Sequence, residues 1–83
     1  MARPPRDPFD EDNGILGEVP GETVAAACRL LPPPETAAPD ARPSAEIDGP
    51  AWVGRVRITF RRHRWKHGKA HMTSWVAVHA ARI

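Results

Sequence analysis

In the stretch Trp52-Val53-Gly54-Arg55-Val56-Arg57-Ile58-Thr59-Phe60, apolar and polar residues alternate. Trp52, Val56, Ile58 and Phe60 share one side, and Arg55, Arg57 and Thr59 share the other. Period-two alternation with β-branched and aromatic residues predicts a half-buried strand. A second such stretch follows at His71-Met72-Thr73-Ser74-Trp75-Val76-Ala77-Val78-His79-Ala80. Gly68 lies between them, so the two are expected to form an antiparallel hairpin.

A three-residue loop of Lys66-His67-Gly68 would place Gly68 in the left-handed conformation that glycine adopts at little cost. Pairing then sets Ile58 opposite Val76, Val56 opposite Val78 and His63 opposite His71. A two-residue His67-Gly68 loop would instead oppose Ile58 to Ala77 and Val56 to His79. Register follows the buried pattern, which favours the longer loop. The expected apolar face is then Trp52, Val56, Ile58, Phe60, Met72, Val76 and Val78. Arg55, Arg57, Arg61, His63, His71, Trp75 and His79 fall on the other face. A lone hairpin is marginal in water, so something must cover the apolar face: a helix at 22–31, the Ile15–Val19 segment, or a second copy of the chain.

Working outward, the composition changes abruptly at about Pro50. All ten prolines and all ten acidic residues lie at or before Pro50, and residues 1–50 carry a net charge of −6. Residues 51–83 hold no acid and carry +8. Residues 1–14 read as a disordered acidic tail, with too little apolar surface to offset the entropy of ordering it. Residues 15–31 read as a weak strand and a short helix. Glu22 sits at the helix start, Val24, Ala27, Cys28, Leu30 and Leu31 supply an apolar side, and Pro32-Pro33-Pro34 ends it. Residues 32–49 read as a proline-rich linker of polyproline character.

The expected fold class is therefore a small α+β unit. It comprises a C-terminal antiparallel β-hairpin (50–83), a possible third strand and one short helix, with the N-terminal and linker regions largely disordered. A core this small is marginal: only 15 of the 83 residues are Leu, Ile, Val or Phe.

Composition also bears on function. Cys28 is the only cysteine, so no intrachain disulfide or cysteine-based zinc site can form. No apolar run reaches the length of a membrane span, and a cytoplasmic protein is the expectation. His63, His67 and His71 are spaced by four, but no acid or cysteine in the segment completes a ligand set, so neither metal nor cofactor is expected. No glycine-rich phosphate loop or acid–histidine arrangement is present, which argues against an enzyme.

What remains is charge. Arg55, Arg57, Arg61, Arg62, Arg64, Lys66 and Lys69 fall within fifteen residues, with Trp65 inside that run and Trp75 beyond it. Guanidinium groups bind phosphate in forked geometry and exposed tryptophans stack on bases. These nine residues are the candidate nucleic-acid-binding set, for DNA or RNA. Two other readings stand beside it. The hairpin could dock on a larger acidic or apolar protein partner, or on a second copy. The charge could also simply keep exposed strands from aggregating. Finally, the acidic half could compete with phosphate for the basic half, since a tether raises its local concentration.

Overall fold

The structure, a computed structural model, describes residues 13–83. The expected acidic tail therefore lies, up to residue 12, outside the described residues. Helix α1 spans Gly21–Cys28, and three strands follow: β1 Ser44–Asp48, β2 Arg55–His67 and β3 Ala70–Arg82. They form one antiparallel sheet in the order β1-β2-β3. Short 3-10 turns occupy Leu16–Glu18 and Pro34–Thr36. This is the small α+β fold expected, with three differences.

The third strand comes from the stretch read as linker. In Ser44-Ala45-Glu46-Ile47-Asp48, Ala45 and Ile47 turn inward while their neighbours turn out, the period of two that a half-buried strand requires. Ala45 lies opposite Ile58 and Ile47 opposite Val56. Ile15–Val19, the segment expected to supply this strand, instead forms a 3-10 turn that delivers Val19 to the core. The linker is not free chain either. Buried Trp75 donates its indole N–H to the Pro32 carbonyl at 2.8 Å, drawing the proline run across the sheet. A buried indole needs such an acceptor.

The β1–β2 connection corrects the placement of Trp52. Gly49 and Gly54 close the loop by a 2.9 Å backbone bond, with Val53 and Gly54 both donating to Pro50. Gly54 takes a φ of 81°, so the strand alternation stops there. Val53 is buried as a result, and Trp52, expected on the apolar face, is 66% exposed.

The β2–β3 register also differs from expectation. His67 pairs with Ala70, so the loop is the two residues Gly68-Lys69. Gly68 has a φ of 62° and Lys69 does not enter positive φ, the arrangement of a type II′ hairpin turn. Near the tip, Lys66 faces His71 and Trp65 faces Met72. Ile58 faces Ala80, Thr59 faces His79 and Phe60 faces Ala77, which leaves Val78 as an extra residue in a bulge. The bulge reverses the phase of β3, so Ala80 and Trp75 both point into the core. Met72 and Val76, expected inside, lie on the other face and are 42% and 37% exposed.

The core consists of Val19, Ala27, Ala45, Val53, Val56, Ile58, Phe60, Trp75 and Ala80. Helix α1 covers it through Thr23 and Ala27, with Val24, Cys28 and Leu31 partly buried beside them. Leu30, expected on the packed side, is exposed because the helix ends at Cys28 and the chain continues as a turn. The outer edge of β3 is capped at one point. Ala80 bonds to Asn13 and Ile15, with Gly14 forming a parallel bridge to Ala80. Gly14 takes a φ of 61°, and a Cβ there would collide with the Ala80 carbonyl.

Candidate nucleic-acid interface

The three-stranded part of the sheet stops early. Strand β1 pairs only with Arg55 through Thr59, and Phe60 N–H bonds to Pro43 just beyond it. From Arg61 to the tip, β2 and β3 continue alone as a two-stranded ribbon. At about 3.4 Å per residue, this ribbon projects roughly 20 Å from the body. Nearly every residue between Arg61 and Met72 is exposed, with Arg62 half-buried at the base.

Strand alternation sorts the side chains. Arg61, His63, Trp65 and His67 share the face that continues from Arg55, Arg57 and Thr59, which we call the outer face. Arg62, Arg64 and Lys66 continue the phase of buried Val56, Ile58 and Phe60, and so lie on the inner face. On β3 the outer-face partners are Val76, Ser74, Met72 and Ala70, and the inner-face partners are Trp75, Thr73 and His71. Lys69 sits in the tip loop.

The nine expected residues divide into three groups. Arg61, Arg62, Arg64, Trp65, Lys66 and Lys69 are brought together on the ribbon. Arg55 and Arg57 are not: they lie at its base, opposite Asp48 and Glu46 of β1. Arg55 Nη1 approaches Asp48 Oδ1 at 3.0 Å, and Arg57 Nη2 approaches Glu46 Oε2 at 3.3 Å. Exposed pairs of this kind add little stability, but they cancel the local charge. Trp75 leaves the set of stacking groups for a different reason. It is 8% exposed and bonded to Pro32, so its ring faces are packed rather than offered to a ligand.

Among the described residues, no carboxylate pairs with the five ribbon cations. Arg62 is anchored nearest the body, opposite Trp75, and its Nε is buried without a hydrogen-bond partner. An unsatisfied buried donor is costly, by about 1–3 kcal/mol.

Sequence reasoning did not select His63. Its ring stacks on Trp65, with centroids 5.6 Å apart and planes inclined by 17°. The signal was available, since residues two apart on a strand share a face. His71, expected opposite His63, faces Lys66 on the inner side instead. The three histidines are therefore not gathered. Among the described residues no group of three or more His, Cys, Asp or Glu is placed to hold a metal ion.

Away from the ribbon, an open depression of about 440 Å³ lies between α1 and the end of β1, bordered by Glu22, Thr23, Ile47 and Asp48. Its two carboxylates are Glu22 and Asp48, of which Asp48 is engaged by Arg55. No described helix is long and apolar enough to cross a membrane. Compared with known proteins, the chain matches no family model, and no curated protein or solved structure matches it.

Proposed function

We propose that this chain is a small, non-catalytic nucleic-acid-binding protein of the cytoplasm that contacts phosphates through its projecting ribbon. Arg61, Arg62, Arg64, Lys66 and Lys69 are the contacting cations, and Trp65 is the aromatic group among them. One observation carries this reading. The sheet's acids neutralise the arginines at the ribbon's base, while among the described residues no carboxylate pairs with the ribbon's five cations. Phosphate binding by such groups releases condensed counterions and adds charge-assisted hydrogen bonds, most of them from guanidinium.

The test is binding of labelled single- and double-stranded oligonucleotides across a salt series. Binding at micromolar concentration or tighter is expected near 50 mM salt, falling steeply toward 200 mM. It should be lost when Arg61, Arg64 and Lys66 are replaced together by Ala. Absence of binding at the lowest salt sinks the reading. The alternative, an adaptor that docks the hairpin on a larger acidic or apolar protein partner, would then be sought, and a shallow salt dependence of that partner's binding would mark an apolar interface.

A further inference from the structure

Every ribbon side chain invoked above except Lys69 comes from one strand, β2. From Arg61 to His67 its residues alternate between an outer row of Arg61, His63, Trp65 and His67 and an inner row of Arg62, Arg64 and Lys66. Opposite them, β3 contributes Ala70, Met72, Thr73, Ser74 and Val76 and, at the base, buried Trp75, all neutral, with His71 the one titratable group. Because β1 ends before Phe60, this part of β2 is also a free edge. Its two faces therefore meet along an open line, aromatic on one side and cationic on the other.

We propose that the ligand of this edge is a single nucleic-acid strand, with an unpaired base stacked on Trp65 and the backbone phosphates on Arg62, Arg64 and Lys66. The proposal rests on the phosphate-binding reading above and adds to it which nucleic acid is held, and how.

The ring geometry is the first support. Trp65 is 40% exposed, and the His63 ring lies nearly parallel to it. That contact holds the indole plane in position and leaves much of the ring to solvent. A duplex shows a protein the edges of its bases, because each base face is covered by its neighbours in the stack. A partly exposed indole can stack on a base that has left the duplex, and such contacts tolerate any sequence.

Spacing is the second support. Residues on one face of a strand repeat every ~6.8 Å, twice the strand rise, whereas bases stacked in a duplex are ~3.4 Å apart. Arg61 and His67 thus flank the His63–Trp65 pair at intervals that suit an opened-out strand and not a continuous stack. The third support is position. An edge strand presents unpaired backbone N–H groups in addition to its side chains. A nucleotide lying across that edge can set its base over one face and its phosphate against the other.

The experiment compares a labelled mixed-sequence single strand of about fifteen nucleotides with the same sequence as a blunt duplex. The full chain and its Trp65→Ala, Trp65→Phe and Arg62→Ala/Arg64→Ala variants are each titrated at one salt concentration. The single strand is expected to bind at least about tenfold more tightly than the duplex, the size of one base–aromatic stack. Trp65→Ala should lose about that factor on the single strand and change duplex binding less than about twofold, while Trp65→Phe keeps most of it. Arg62→Ala/Arg64→Ala should weaken both ligands. Trp65 is exposed, so unchanged thermal unfolding of its variants excludes misfolding as the cause.

Equal affinity for both ligands, with Trp65→Ala affecting them alike or not at all, overturns this inference and leaves the phosphate-binding reading standing. No binding of either ligand overturns both. Sedimentation supplies one more refuting result: a dimer that Trp65→Ala converts to monomer, with oligonucleotide affinity unchanged, would make the outer face a contact between copies.

Discussion

Trp75→Phe separates the observed β2–β3 register from the one that hydrophobic pattern alone favours. In the structure Trp75 points into the core beside Ala80 and Phe60 and donates a 2.8 Å hydrogen bond to Pro32, 43 residues away. Phenylalanine removes that donor, which costs about 1 kcal/mol for the bond itself. It also leaves a gap where the second indole ring had been. Full truncation of a buried Trp costs about 3–5 kcal/mol, so a partial truncation to Phe accounts for roughly 1 kcal/mol more. The total of about 2 kcal/mol should lower the midpoint of thermal unfolding by roughly 8–16 °C in a domain of this size. In the alternative register Trp75 lies on the solvent face, where substitutions usually stay within about 0.5 kcal/mol, or a few degrees. The assay is thermal unfolding followed by far-ultraviolet circular dichroism, with Trp65→Phe as the exposed control. A Trp75→Phe midpoint within about 2 °C of the unaltered protein, no lower than that of Trp65→Phe, would refute both the register and the anchoring of the proline run.

Three further outcomes follow from the same geometry. Arg55→Ala and Arg57→Ala together should cost less than about 1 kcal/mol in urea unfolding and barely alter the salt slope of single-strand binding; Arg64→Ala and Lys66→Ala together should make that slope shallower by about 1.4. Gly14→Ala should destabilise by about 1–3 kcal/mol, because it forces a side chain into positive φ and against the Ala80 carbonyl. Faster hydrogen exchange at the Ile15 and Ala80 amides would check that local cause. Removing residues 1–12, with Asp7, Asp10, Glu11 and Asp12, should tighten oligonucleotide binding at low salt. The truncation must stop there, since Asn13 and Ile15 bond to Ala80, and unchanged affinity would end the idea that this segment competes with phosphate.

How far the sequence announced this structure varies by strand. Val56, Ile58 and Phe60 are among the most buried residues, and their alternation was legible because the opposite phase holds only Arg and Thr. Strand β3 offered no such contrast. Met72 and Val76 occupy one phase and Trp75 and Ala77 the other, so apolar counting chose the larger aliphatics. The bulge at Val78 then permits both Trp75 and Ala80 to face inward, which no uniform period of two can express. Strand β1 was hidden by composition: five residues with two modest apolar side chains, set among prolines and acids. Its partner pattern was nevertheless written in charge, since Glu46 and Asp48 fall opposite Arg57 and Arg55. The change of composition at Pro50 lies inside the loop joining β1 to β2, so a boundary drawn there divides paired strands. For the candidate site, the ribbon cations and Trp65 could be found from sequence, whereas the loss of Arg55, Arg57 and Trp75 depended on partners far along the chain.

The distribution of charge also bears on whether the ribbon's cations merely protect it. An exposed strand edge invites pairing with another chain, and lysine or arginine along that edge is a common defence. Protection of that kind would be needed on both edges of a projecting ribbon. On β3 the residues from Ala70 to Ala81 contain no Lys or Arg. Among the described residues its outer edge makes backbone hydrogen bonds at Ala80 alone, near the body and far from the tip, and the turn at Pro34–Thr36 also packs against the strand. On β2 the cations exceed what one edge requires, and they alternate with an aromatic pair that a purely protective edge would have no reason to expose. Solubility therefore explains neither the bare edge nor the crowded one. On the proposed reading the difference follows, because an extended polyanion needs one continuous line of contacts and nothing on the strand behind it.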